Sequence, residues 1–253
     1  MLGEMVRYCK EDLQLVVSIV SNGSKIQEGW MHTYASYIDM LTISIDSFDD
    51  STNTQIGRAG RSDGKAQQTH LVRRVAELCA QFDVAFRINT VVCAYNKDED
   101  MSAGIAELAP FRWKVFQVLA LEGENKGDGA IRNVDPYLIS DAEYAAFVDR
   151  HRAKMAAEEI DMVPESNEVM KDSYIMLDED MHFLDCRDGG KTKLGDRTVL
   201  DGSLKELSAL LAQLGHDEGA FSARDGYYFE RLQQNAAVSG CGAAGVSAGE
   251  DLF

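Results

Sequence analysis

Residues 112–125 read RWKVFQVLALEGEN, and this stretch decides the fold class. Its middle, 115–121, is an apolar, β-branched run of strand length with charge on both sides. Such a run predicts a strand covered on both faces, as in a parallel sheet wrapped by helices. Lys114 enters it, Gln117 interrupts it, and Glu122, Glu124 and Asn125 crowd its exit. Polar groups where a buried parallel strand ends are the usual material of an α/β site.

Working outward, the same pattern recurs three times toward the N-terminus, with strands predicted over 15–20, 40–45 and 85–92. Helices are predicted over 2–12, 26–37, 67–82 and 101–108. The third places Leu71, Val75, Leu78, Cys79 and Phe82 on one stripe. Between the second strand and that helix, IGRAGRSDGK reads as a flexible segment. Strand and helix in alternation predict a parallel sheet with right-handed crossovers, an α/β fold. After Asn125 the rhythm changes. Ser140 with Glu143, and Ser203 with Glu206, have the capping-box spacing that opens helices. Residues 174–178 and 181–185 read as a hairpin. From about 233 the chain is rich in Ala, Gly and Ser and predicted to be a disordered tail.

Composition bounds the function. The chain has 253 residues and a net charge of −17. That balance argues against nucleic acid as a partner, since a phosphate backbone needs clustered Lys and Arg. No apolar run approaches the roughly 20 residues needed to cross a bilayer. The start, MLGEMVRYCKED, does not read as a secretory signal, and a cytoplasmic location is expected. Cys9, Cys79, Cys93, Cys186 and Cys241 show no zinc or iron–sulfur spacing, so no metal ligand is assigned. His32, His70, His151, His182 and His216 read as surface or core residues. The GRAGRSDGK loop is not a phosphate loop, because Ala59 and Ala66 stand where Gly and Ser or Thr are required.

If the four strands are parallel, four polar clusters converge at their exits. They are Ser21, Asn22 and Ser24, then Ser44, Asp46 and Ser47, then Asn89, and finally Gln117 and Glu122. Arg58 and Arg61, in the loop after the second strand, can fold over that edge. Arg87 and Lys114 fall inside otherwise apolar strands, where a charge must be paired or ligated. Either they reach solvent at the strand start, or they point into a cavity that holds an anion.

SIVSNGS (18–24), ISIDSF (43–48), IGR (56–58), RIN (87–89), RWKVFQ (112–117) and EGEN (122–125) resemble, in order, the viperin family. So do VPESN (163–167), KDSYIMLDE (171–179) and the RDGGK run at 187–191. The resemblance implies an antiviral radical S-adenosylmethionine enzyme that converts CTP, with UTP as the other option, to 3′-deoxy-3′,4′-didehydro-CTP. It also implies a partial (β/α)6 barrel, incomplete at the N-terminus, with a C-terminal α+β extension. Residues 1–125 would supply barrel strands three to six, 126–232 an extension over the active site, and 233–253 the tail. S-adenosylmethionine and a [4Fe-4S] cluster are the implied cofactors. By matching motif, Ser44 and Arg58 would bind S-adenosylmethionine, and Arg87, Asn89, Lys114, Tyr174 and Lys191 the nucleotide. Where the family pattern has lysine at 87, arginine stands here.

The family's CxxxCxxC loop, GGE motif and amphipathic membrane helix would precede residue 1. The chain as given is therefore expected to lack the cluster ligands and to assign no catalytic residue. The alternative is a non-catalytic remnant that binds a nucleotide or a protein. Iron–sulfur assembly proteins, and the cytosolic face of the endoplasmic reticulum or lipid droplets, are further expectations from the family.

Overall fold

The computed structural model describes residues 1–58, 67–121, 125–127, 130, 133–170, 176–178, 180–185, 192–200, 206 and 209. The chain divides into two compact units, 1–119 with 135–167, and 120–134 with 168–253. Among the described residues no helix is long and apolar enough to cross a membrane.

In the first unit, α1 (Leu2–Glu11), β1 (Ser18–Ser21), α2 (Glu28–Tyr34) and β2 (Met40–Ser44) open the alternation. Next come α3 (Asp50–Ile56), α4 (Gln68–Gln81), β3 (Ala85–Val92), α5 (Ser102–Leu108) and β4 (Arg112–Gln117). α6 (Asp141–Ala157) and β5 (Asp161–Glu165) complete it. All five strands pair in parallel, and their order across the sheet is their order in the chain. A sheet wound in one direction by right-handed crossovers collects its helices on one face and leaves the other without them, as in a barrel wall. That helix-free side, the open face, has side chains that are nonetheless largely buried.

The side chains follow that division. On the helix-facing side, Leu41, Ile43, Ile88, Trp113 and Val115 are fully buried and pack with Val75, Ile105 and Phe147 from the helices. Trp113 Nε1 donates to Thr90 Oγ1 at 2.9 Å, and Tyr144 of α6 donates its hydroxyl to the Val115 carbonyl at 2.6 Å. These bonds satisfy the polar edges of otherwise apolar packing. The capping box of Ser140 and Glu143 is formed.

Several expectations shift. The fourth strand runs over Arg112–Gln117 rather than 115–121, because its charged residues alternate onto the open face instead of bounding the strand. It is therefore not apolar on both faces. The first strand is displaced to Ser18–Ser21, with Leu15 half exposed. The segment 56–65 was read as flexible, and 59–65 lie outside the described residues; α3, just ahead of it, was not anticipated. Its sequence DSTNTQI has no apolar stripe, and its ends are fixed by caps instead. β5 was not anticipated, since Pro164 interrupts its pattern. Proline is tolerated there because β5 is the edge strand of the sheet among the described residues.

In the second unit, β6 (Met176–Leu177), β7 (His182–Asp185) and β8 (Thr192–Thr198) form an antiparallel three-stranded sheet. The expected hairpin is thus present, with a third strand added. The helix expected from Ser203 and the tail from 233 lie outside the described residues, apart from two isolated positions.

Candidate functional site

The open face of the parallel sheet is polar. Register places Thr42, Arg87 and Arg112 in one row, and Ser44, Asn89 and Lys114 in the next. Neighbouring strands lie about 4.8 Å apart, so the second row spans about 10 Å, the reach of a nucleotide's ribose and first phosphates. Arg87 is buried and donates from Nε to Thr42 Oγ1 at 2.8 Å. Lys114, 2% exposed, places Nζ 2.7 Å from Oε1 of Glu165, itself 0% exposed. Arg112 is paired to Asp161 at 2.7 Å, one alternation nearer the strand start. Among the described residues, Asn89 Oδ1 is buried with no hydrogen-bond partner. A buried acceptor left unmet costs about 1–3 kcal/mol, which a donor on a ligand would relieve.

The exit of β2 carries the other half of the site. Asp49 caps α3, accepting from the backbone N–H groups of Ser51 and Thr52 at 3.1 Å. Hydrogen bonds from the Ser51 and Thr52 side chains, then from those N–H groups, hold its carboxyl down at about 2. The helix ends at Gly57, φ +97°, where the Gly57 N–H bonds Thr54 O at 3.1 Å and the Arg58 N–H bonds Asn53 O at 2.9 Å. That is a Schellman closure, and it fixes where Arg58 leaves the helix. The Arg58 Nε then donates to Asp46, whose other oxygen accepts the Val91 N–H at 2.9 Å. Gln68, at the start of α4, donates to the Ser44 carbonyl at 2.6 Å.

The structure therefore brings Arg87, Asn89 and Lys114 together with Ser44 on one face, and sets Arg58 at the exit of the strand that carries Ser44. Tyr174, Lys191, Arg61, Glu122 and Glu124 lie outside the described residues. Other residues read as strand-exit groups have local duties. Ser21, Asn22 and Ser24 hydrogen-bond within their own turn. Ser47 Oγ accepts from the Asp49 N–H at 2.9 Å beside the α3 cap. Gln117 faces the helices, donating to Asp141 at 2.9 Å and accepting from the Asn167 N–H at 3.1 Å. Thr42, Arg112 and Glu165 were missed as parts of the open face, whereas Asp46 was read at the strand exit without its partner Arg58. Their signal was a period of two: Arg112 and Lys114 alternate with Trp113 and Val115, as Arg87 and Asn89 do with Phe86 and Ile88.

The described cysteines do not suit an iron–sulfur cluster. Cys9, Cys79 and Cys93 lie in α1, in α4 and just beyond β3. Burial pushes the Cys79 thiol up to about 12 and raises that of Cys93 as well, against the thiolate a metal needs. In the second unit Asp178, Asp180 and His182 cluster, but Lys193 already sits 3.0 Å from Asp178. Two surface grooves of about 460 and 510 Å³ are lined by helix residues, among them Lys154 and Glu158 in one and Arg74 and Glu77 in the other. Neither involves the polar face.

No family model matches the chain. Among curated proteins it is 46% identical over 230 residues to the S-adenosylmethionine-dependent nucleotide dehydratase RSAD2 of Oncorhynchus mykiss, covering 90% of this chain and 62% of that one. It is 30% identical over 218 residues to the S-adenosylmethionine-dependent nucleotide dehydratase of Flammeovirga pacifica, covering 85% and 69%. The chain thus spans about three fifths of the length of the fish relative. Among solved structures, native anSMEcpe with bound AdoMet and Cp18Cys peptide aligns at TM-score 0.58 and 15% identity, over 93% of this chain and 80% of that one. Streptococcus suis SuiB bound to S-adenosylmethionine aligns at TM-score 0.57 and 14% identity, over 88% and 52%. These likenesses show the fold, a partial parallel α/β barrel.

Proposed function

The chain belongs to the S-adenosylmethionine-dependent nucleotide dehydratase family, and from that premise we propose that the polar face of its sheet binds a nucleoside triphosphate, CTP. The observation that carries this reading is the row Ser44, Asn89, Lys114 with Arg87 beside it, which concentrates cations in a chain of net charge −17. Arg87 and Lys114 attract the phosphates, and the unmet Asn89 Oδ1 accepts from a ribose hydroxyl. Ser44 and Arg58, at the exit of β2, hold the amino-acid end of S-adenosylmethionine.

The family reaction that fits this substrate removes the elements of water from CTP to give 3′-deoxy-3′,4′-didehydro-CTP, a chain terminator with an antiviral use. The described cysteines do not form the cluster that starts such chemistry, so no step through it is assigned to them. That observation favours, as a second reading, nucleotide binding without turnover by this chain. One experiment separates the two. The protein, reconstituted with iron and sulfide, is given a reductant, S-adenosylmethionine and CTP, while CTP binding is followed by calorimetry. Binding with formation of 5′-deoxyadenosine and a dehydrated nucleotide supports the dehydratase. Binding with neither product supports the binding module. Absence of CTP binding overturns both.

A further inference from the structure

Glu165 stands out among the acids of the open face. It is the last residue of the edge strand β5, its register partner is Phe116, and it is 0% exposed. Its carboxylate approaches Lys114 Nζ at 2.7 Å across the β4–β5 step. Asp161 makes the comparable pair with Arg112 on the same two strands, but its side chain is 52% exposed and the pair is screened by solvent. Only the inner pair is dehydrated. Removing two charges from water seldom gains more stability than an apolar pair of similar size would. The fold does not demand charge here either, since the helix-facing core lies on the other side of the sheet.

A lysine ammonium rides on a flexible four-carbon stem, and holding it in place before an anion arrives removes part of the ordering cost of binding. Pro164 stiffens the backbone that presents Glu165. We propose that Glu165 is the positioning residue for Lys114. It fixes the ammonium beside Asn89, its register neighbour, in the place where it meets the triphosphate of the nucleotide. This rests on the reading that the open face binds a nucleoside triphosphate.

The test is a calorimetric titration of CTP and of cytidine, which has no phosphate, into wild type, Glu165→Gln, Glu165→Asp, Lys114→Met and the Lys114→Met/Glu165→Gln double variant. Glu165→Gln is expected to weaken CTP about tenfold or more, the scale of a charged hydrogen bond, and to leave cytidine unchanged. Glu165→Asp recovers part of the loss. The proposal requires the double variant to bind CTP as Lys114→Met does. A merely structural role moves CTP and cytidine together and overturns the proposal, as do additive losses or an unaffected Glu165→Gln. If Glu165→Gln does not fold, comparing Lys114→Met with the double variant still decides, and a further loss in the double variant overturns the proposal. Weak binding by Lys114→Met with normal binding by Glu165→Gln refutes this inference alone. No CTP binding by folded wild type refutes the functional reading as well.

Discussion

Replacing His151 with phenylalanine tests the packing that holds the sheet against its helices. The ring is 0% exposed, 4.3 Å from Phe147 and edge-on to Trp113 at 5.2 Å between centroids. Its Nε2 accepts the Met101 N–H at 2.9 Å, just ahead of α5, while Nδ1 lies 2.7 Å from the Phe147 carbonyl. Nδ1 therefore carries the proton in the neutral ring. Phenylalanine keeps the ring contacts and leaves the Met101 N–H buried without an acceptor, a cost of about 1–3 kcal/mol. Burial, opposed by the Phe147 carbonyl and Asp100, lowers the His151 pKa below its usual value. As the pH falls below about 6.5 the unfolded chain takes up a proton that the folded chain refuses. Wild type then loses stability at up to about 1.4 kcal/mol per pH unit until the lowered folded pKa is reached, and the variant is spared this loss. Urea unfolding followed by circular dichroism, at about pH 7.5 and about pH 5.5, should show a gap between the two proteins that narrows in acid. A gap that stays constant or widens in acid would refute a neutral, buried His151.

Other outcomes follow from single contacts. Gly57→Ala forces a side chain onto φ +97° at the end of α3 and should cost about 1 kcal/mol in a thermal melt; an unchanged melting temperature would show that the Schellman closure is not what fixes Arg58. A Cβ on Gly104 would meet the Phe48 ring at 2.6 Å, so Gly104→Ala should destabilise by about 1–3 kcal/mol, and a neutral effect in urea would mean that α5 and Phe48 separate freely. Cys79 and Cys93 should resist a thiol reagent in the folded protein and react on unfolding, because burial raises both thiols; native labelling of Cys79 at a free-thiol rate, read by mass spectrometry, would contradict its burial. Asp49→Ala should lower the melting temperature more than Asp49→Asn, which keeps an acceptor for the Ser51 N–H; equal effects would deny the cap.

The parallel α/β alternation was legible because apolar runs of strand length and helical stripes such as Val75, Leu78 and Cys79 carry it directly. The direction of the polar residues was not. Lys114 was read inside an apolar strand with two directions open to it, solvent at the strand start or an anion cavity, and the register sets it beside Asn89 on the open face. Its partner Glu165 lies 51 residues later on a strand that Pro164 obscured, and no local pattern announces so distant a pairing. Asp46 was noticed as a strand-exit acid, but its hold on Arg58 depends on the Gly57 turn, which only the backbone reveals. Gln117 looked the same in sequence as Asn89, yet an odd spacing from Lys114 turns it toward the helices.

The most direct test of the polar face is a calorimetric titration of CTP into wild type, Asn89→Ala and Lys114→Ala. The account predicts saturable binding by wild type, weakened by about 1–3 kcal/mol when Lys114 is truncated and less when Asn89 is truncated. Equal affinity in all three proteins would place the nucleotide elsewhere and contradict the central claim.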